Sequence, residues 1–359
     1  MGLSIRERIE EDERRSLSPF AVLSSQSKGR ARAEAPCDMR PVFQRDRDRI
    51  LHCKAFRRLA GKTQVFLAPE GDHYRTRITH TLEVAQFARS VTRFLGLNEM
   101  LTEAIVMGHD LGHTPFGHAG EKVLARLMPD GFHHVKQSLR VVEKLERDGA
   151  GLNLTVEVRD GILKHSKGKG AIFSDNPNLT AMTLEGQIVR VADIAAYVNH
   201  DLDDAIRAGL LSEREIPDLV VKRLGATHSE RIESLVRDLV ESSRFEEKRM
   251  IRMSDERLEA LYALRDFLYE RVYESKGIKE EFAKAQRILE ELWIHFHEHP
   301  DQFHARYQPK GSNATSADAD EPSDGRHDRA IGDFLCGMTD RYAMRLFQEL
   351  RLPRPWTVY

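Results

Sequence analysis

The sequence predicts an all-α protein, a helical bundle followed by a helical C-terminal extension. Three observations predict it. Apolar residues recur at helical spacing along nearly the whole chain, strand-like alternation is scarce, and Gly or Pro punctuates the pattern at helix-length intervals, as at Gly96, Pro115 and Pro129. No fixed-period repeat is visible.

In chain order, residues 1–40 are polar and mixed in charge, and "SSQSKGRARAEAP" reads as a flexible N-terminal arm. A helix is expected over 42–60, anchored by Val42, Ile50, Leu51, Phe56 and Leu59. "LAPEGDH" at 67–73 reads as a loop, or as the tip of a short hairpin beginning at "TQVF". Helices follow over 77–95, stopped by Gly96, and over 98–112. Another starts after Pro115, a residue suited to a first helical turn, and ends near Met128-Pro129. Two more cover 133–147 and 156–165; "HSKGKGAIFSDNPNLT" is a long loop. A long helix spans 184–208, 215–275 is helical with many surface charges, and 279–299 and 328–350 are helical again. Between the last two, "YQPKGSNATSADADEPSDGRHD" lacks large apolar residues and reads as a disordered insertion at about 308–327. The organisation expected is the arm, a core over 41–275 and a helical C-terminal region over 276–359.

Of the 359 residues, 40% are hydrophobic, enough for a sizeable core, and a net charge of −2 excludes a bulk polyelectrolyte binder. Cys37, Cys53 and Cys336 are scattered and odd in number, which points away from a disulfide framework and toward a reducing compartment. The charged start "MGLSIRERIEEDERR" lacks an apolar signal core, and no run approaches the roughly 20 apolar residues of a membrane span. The expected location is the cytoplasm.

One stretch, "HDLGHTPFGHAGE" at 109–121, concentrates three histidines and two carboxylates. It cannot close a metal site alone, so partners must come from other helices. On the helix over 77–95, His80 lies one turn before Val84 on the apolar stripe Val84, Phe87 and Val91. On the next helix, Leu101 and Ile105 precede His109 at the same spacing, and Asp110 follows about 100° round. A lone histidine on such a face is more often a core residue bonded to a carbonyl. Two such faces, one with a carboxylate beside its imidazole, favour a cation, because burying an unpaired carboxylate is expensive. The helix over 184–208 adds a ridge of Asp193, Tyr197 and Asp201 beside its apolar stripe. His80, His109, Asp110 and Asp193 therefore form a candidate metal site. Mixed nitrogen and oxygen donors suit Mn, Fe, Co, Ni or Zn, and leave Mg open with substrate phosphates.

His118 and Glu121 stand at i, i+3 in a first helical turn. A carboxylate holding one ring nitrogen orients the other for acid–base work, although Glu121 alone would equally serve the helix dipole. His113 and His134 are further candidates for the cleft. Arg75 and Arg77 precede His80, and "KHSKGKG", with Lys164, offers cations suited to polyphosphate. "WIHFHEHP" at 293–300 reads as an exposed helix end. There is no Walker A motif and no strand-linked GxGxxG.

Five separated blocks, "RDRDRILHCKAFRRLAGKTQVF", "HYRTRITHTLEVAQFARS", "GHDLGHTPFGHAGE", "VRVADIAAYVNHDLDDA" and "DFLCGMTDRYA", together resemble the deoxyguanosine triphosphate triphosphohydrolase-like family of HD-domain phosphohydrolases. The resemblance spans about 38–350. It implies an HD-type helical bundle that hydrolyses a deoxynucleoside triphosphate to the deoxynucleoside and inorganic triphosphate, by water attack at the α-phosphorus. It implies a divalent metal (Mn, Mg, Co, Fe, Ni or Zn) on His80, His109, Asp110 and Asp193, a catalytic pair of His118 and Glu121, and a further histidine, His134, near the phosphates. It implies sugar and phosphate contacts from Gln64, Arg77, Tyr197 and Asp201, to which the residues themselves add His113 and Lys164. A homo-oligomer and a nucleotide activator are the partners expected beside the substrate. Two departures are visible: "FHHVKQS" carries Val135 where the family has Asn, and "RPVFQRD" stands where the family often has Arg-Thr-Pro-Phe. The alternative is a nucleotide sensor, or a module binding single-stranded nucleic acid through the arginine-rich segment 40–58, with weak or other phosphohydrolase activity. The intact ligand set and catalytic pair argue against it.

Overall fold

A computed structural model describes residues 2–64, 75–166, 170–246, 249–307 and 323–353. The chain is all-α. Its helices are α1 (Ile5–Ser16), α2 (Val42–Leu51), α3 (Lys54–Arg58), α4 (Arg77–Phe94), α5 (Glu99–His109), α6 (His118–Leu127), α7 (His134–Arg140) and α8 (Val156–Lys164). They continue with α9 (Leu184–Arg207), α10 (Asp218–Leu224), α11 (His228–Ser242), α12 (Asp255–Leu268), α13 (Lys276–Glu298), α14 (Pro300–Arg306), α15 (Ser323–Cys336) and α16 (Asp340–Arg351). Among the described residues the only strand-like pairings are two isolated antiparallel bridges, Arg30 with Thr155 and Thr63 with Thr76. Residues 65–74, where a loop or hairpin tip was expected, lie outside the described residues.

The bundle is organised around α5, whose residues from Ala104 to His109 are all buried. Helices α2, α4, α8 and α9 pack against it, and α4 and α9 also pack on each other. Local chemistry sets the helix starts. Asn98 accepts from the amides of Met100 and Leu101 to begin α5, and Thr183 accepts from Gly186 to begin α9. A second apolar cluster joins Phe116, Val123 and Leu124 to Leu289, Phe296, Ile331 and Leu346, so the C-terminal helices are built onto α6. No helix among the described residues is long and apolar enough to cross a membrane.

Several boundaries differ from the expected ones. The helix expected over 42–60 breaks at Cys53, whose sulfur caps α3. The helix expected over 98–112 ends at His109, with Asp110 as its cap. The segment 328–350 splits at Gly337–Thr339 into α15 and α16, and α15 begins inside the stretch expected as an insertion, the rest of which lies outside the described residues.

The stretch expected as a flexible arm makes hydrogen bonds with the core in its described residues, 2–40. Ser4 and Glu7 form a capping box at α1. Downstream, the amide of Val22 donates to Glu185, Ser27 Oγ to Glu157, and the Arg30 guanidinium to Asp46 and to the carbonyl of Asn153. Asp46, Glu157 and Glu185 are buried carboxylates, and buried carboxylates must be hydrogen-bonded. The polarity that made the segment look solvated is what fastens it to the core. "WIHFHEHP" is likewise not a free helix end: His295 is buried against Gln302, and His297 Nε2 is 2.6 Å from Asp328 on α15.

Candidate active site

Helices α4, α5 and α9 converge on one point. His80, on the first turns of α4, and His109 and Asp110, at the end of α5, place one ligand atom each within 4.8 Å of one another. Asp193 on α9 completes the group: its Oδ1 lies 3.1 Å from His80 Nε2 and 3.9 Å from His109 Nε2. His109 Nε2 is 3.4 Å from Asp110 Oδ1, and His80 Nε2 is 3.8 Å from Asp110 Oδ2. Donors sharing one ion at about 2.1 Å stand roughly 3.0–3.4 Å apart, so these spacings suit a single divalent cation with slight contraction. His109 supplies the test of fit. Its Nδ1 donates to the carbonyl of Val106 at 2.6 Å, which leaves the Nε2 lone pair aimed at the cluster. That Nε2 is buried and has no hydrogen-bond partner among the described residues.

Neighbouring basic groups keep the carboxylates of the cluster ionised. Arg77 Nη1 donates to Asp110 Oδ2 at 2.8 Å. Burial alone would raise Asp110, but His109, His113 and Arg77 together hold its carboxyl well below the usual range. Asp193 is also held low: burial opposes, and the hydrogen bond to His80 with the charges of His109 and His80 prevails. For His80, burial lowers its basicity, but Asp193 and Asp110 raise it further, for a net rise.

The neighbouring loop carries the second set of groups. Phe116 (φ 62°) and Gly117 (φ 54°) are both left-handed, an uncommon conformation for a phenylalanine. The loop is held from three sides. The Phe116 amide donates to Asp340 Oδ1 at 2.9 Å, the Thr63 amide donates to Asp340 Oδ2 at 2.9 Å, and the buried Lys62 ammonium bridges the carbonyls of His113 and Cys336. Burial pushes that ammonium down to about 8.

The loop delivers Glu121 to the first turn of α6. Glu121 Oε1 accepts from both the amide and Nδ1 of His134, each at 2.9 Å, while Oε2 is 3.4 Å from Nδ1 of His118. Burial opposes ionisation of Glu121, but the bonds to His118 and His134 hold its carboxyl well below the usual range. The His134 ring stacks on His113 at 4.1 Å, and His113 Nε2 is 3.2 Å from Asp110 Oδ1. Asp110, His113, His134 and Glu121 thus form one continuous row, with His118, its side chain 70% exposed, at the open end.

Of the remaining residues expected at the site, Gln64 and Arg77 flank Gly117, and Tyr197 is half-buried on α9 beside Asp193. Burial and the Asp193 charge raise the Tyr197 phenol. Two of the expected residues have partners of their own in this structure. Lys164 turns to Asp160 at 2.8 Å and to the carbonyl of Pro177, because an i, i+4 carboxylate on its own helix satisfies its charge. Asp201 is buried and accepts from the hydroxyl of Tyr273, which covers that end of the α9 ridge. His165 was missed. It is buried, donates from Nδ1 to the carbonyl of Ile162 at 2.7 Å, and sits 5.0 Å from His109 and 5.4 Å from His134 between ring centroids. Burial, aided by those two histidines, pushes it down to about 3. The stripe Val158, Ile162 and His165 carries the signal that identified His80 and His109.

Four arginines of the arginine-rich segment are held in ion pairs. Arg40 pairs with Asp48, Arg45 and Arg49 with Glu34, and Arg47 with Glu103.

The model for the HD domain matches residues 77–198, and that for a phosphohydrolase-associated domain matches residues 251–349. The fold and the convergent His and Asp residues therefore define an HD-domain protein of the phosphohydrolase class. A deoxyguanosinetriphosphate triphosphohydrolase-like protein of Caldanaerobacter subterraneus subsp. tengcongensis is 50% identical over 354 residues, covering 99% of this chain and 98% of the relative. One of the same description from Desulfatibacillum aliphaticivorans is 49% identical over 354 residues, covering 98% and 99%. A crystal structure of a hypothetical protein from Aquifex aeolicus aligns with a TM-score of 0.43 and 19% identity, over 85% of this chain and 72% of that one. The chain belongs to the deoxyguanosinetriphosphate triphosphohydrolase-like family.

Proposed function

We propose that the chain hydrolyses deoxynucleoside triphosphates to the deoxynucleoside and inorganic triphosphate. One observation carries the reading: four convergent donors, with the His109 Nε2 lone pair left unpartnered, stand beside the Asp110–His113–His134–Glu121 row that ends at His118. The substrate class comes from the family. A divalent metal held by His80, His109, Asp110 and Asp193 would supply neutralisation of charge on an α-phosphate oxygen.

The chain's own residues do the rest. Water attacks the α-phosphorus, the bond from phosphorus to the 5′-oxygen breaks, the water loses a proton and the 5′-oxygen gains one. Glu121 fixes the His134 ring through Nδ1, which leaves Nε2 as its proton-exchanging atom, and His118 stands exposed on the other carboxylate oxygen. Arg77 Nε and Gln64 Oε1 are buried without hydrogen-bond partners among the described residues, and are the groups left for phosphate and sugar. Tyr197, one turn from Asp193, and His113, beside Asp110, are further candidates for substrate contacts. In this reading residues 41–275 form the catalytic core and 276–359 clamp its loop through Asp340 and Cys336. The free cysteines support a reducing compartment such as the cytoplasm, and a homo-oligomer with a nucleotide activator belongs to the same reading.

The test is product analysis with Mn²⁺, Mg²⁺ or Co²⁺ and one deoxynucleoside triphosphate at a time. Equimolar deoxynucleoside and triphosphate support the reading. A deoxynucleoside diphosphate with orthophosphate would overturn it, however fast the hydrolysis.

A further inference from the structure

His80 is held on both edges of its ring. Nε2 faces Asp193 and Asp110, the side proposed for the cation. Nδ1 lies 2.8 Å from Nε2 of His200, which is fully buried on the same helix that carries Asp193. The other nitrogen of His200, Nδ1, is 2.7 Å from Asp201 Oδ1, a close charge contact that is bent away from hydrogen-bond alignment. Asp201 Oδ2 accepts from the hydroxyl of Tyr273 on the π turn Tyr269–Tyr273.

Between two imidazole nitrogens, one must donate and the other accept. A His80 that offers the Nε2 lone pair to a cation carries its proton on Nδ1. His200 Nε2 must then accept it, so the His200 proton sits on Nδ1, beside the Asp201 carboxylate. The opposite order would set a bare Nδ1 lone pair of His200 against Asp201 at 2.7 Å, which is repulsive. Once a cation takes the place of the proton between His80 Nε2 and Asp193 Oδ1, now 3.1 Å apart, the row Tyr273, Asp201, His200 and His80 has one favourable proton arrangement, with His80 Nδ1 donating to His200 and His200 Nδ1 facing Asp201. A ligating histidine is commonly oriented in this way by a partner on its second nitrogen.

We propose that His200, backed by Asp201 and Tyr273, is a positioning residue that fixes the tautomer and ring orientation of His80 for a divalent cation. The inference rests on His80 being a ligand, as proposed above. It also gives Asp201 a task other than touching the sugar.

The experiment measures metal affinity by chelator competition, together with the visible spectrum of the Co²⁺ form, on the full chain. His200→Phe keeps a buried ring but cannot accept a proton, and metal affinity falls about 10- to 100-fold. His200→Gln, whose amide oxygen can accept from Nδ1–H, recovers most of that loss and restores the Co²⁺ bands that the Phe variant shifts. Tyr273→Phe removes a single oxygen and lowers affinity in the same direction by less; it also serves if His200→Phe does not fold. Thermal unfolding of the metal-free variants separates lost structure from lost affinity. A wild-type chain that binds the metal tightly, with unchanged affinity and spectra in His200→Phe and Tyr273→Phe, overturns the inference and leaves the metal reading standing. A wild-type chain that binds no divalent cation overturns both.

Discussion

Gly112→Ala should damage stability and chemistry together. A Cβ at position 112 would stand 2.1 Å from the amide nitrogen of Ser138, 2.5 Å from the carbonyl carbon of Gln137 and 2.6 Å from the carbonyl oxygen of His134. These are backbone atoms of α7, so no side chain can swing aside. Restoring ordinary contact at 3.4 Å requires α7 to retreat by about 1.3 Å. Ser138 Oγ accepts from the Gly112 amide at 2.9 Å and donates to the carbonyl of His109 at 2.6 Å, and neither bond survives that retreat. Overpacking costs about 1–3 kcal/mol, and each lost hydrogen bond about 0.5–1.5 kcal/mol. Together that is about 2–6 kcal/mol, a large part of a typical stability of about 5–15 kcal/mol. The same shift pulls His134 away from Glu121, whose bonds to it are 2.9 Å long. Urea unfolding of the metal-free protein and steady-state turnover on the same preparation measure both effects. Gly277→Ala is the control, since nothing lies within 4 Å of its added carbon. A Gly112→Ala protein with wild-type midpoint and turnover would refute the argument that α7 is seated on Gly112.

Three further outcomes are expected. His109→Ala and Asp193→Ala each strip bound metal, read by metal analysis of the purified proteins, and abolish hydrolysis; full metal content with full activity would remove these residues from the site. His118→Ala keeps metal and nucleotide affinity but loses turnover by about 10²- to 10⁴-fold, the usual worth of acid–base assistance; near-normal turnover would remove His118 from the mechanism, and metal loss would make it a ligand. Glu121 is held below its unfolded-state value of 4.5, so its contribution to stability is fully present above that pH and is lost as pH falls below it. In metal-free protein the urea midpoint should therefore drop below pH 4.5, and drop less in Glu121→Gln; parallel curves would show that Glu121 carries no such linkage.

The part of the site that was legible in the sequence lay on helix faces. His80, His109 and Asp193 occupy positions fixed by the periodicity of their own helices, so local spacing revealed them, and the same rule applied to Val158 and Ile162 reaches His165. What was not legible depended on distant partners. Nothing near Asp46, Glu157 or Glu185 shows that residues 22–30 supply their donors, so a fastened segment looked free. Nothing near Asp201 shows that Tyr273 closes over it. The clamp of Asp340 on Phe116 joins residues 224 positions apart, and a left-handed phenylalanine carries no marker in sequence. The boundary inside 42–60 was missed because Cys53 starts a new helix there, its sulfur accepting from the Phe56 amide, and an isolated cysteine is not a usual cap signal.

The most direct test of the account is hydrolysis of one deoxynucleoside triphosphate in H₂¹⁸O with metal-loaded protein, followed by ³¹P NMR and mass analysis of the products. Attack at the α-phosphorus predicts a single ¹⁸O on a terminal phosphorus of the inorganic triphosphate and an unlabelled deoxynucleoside. Label in orthophosphate, or in the 5′-hydroxyl of the deoxynucleoside, would contradict it.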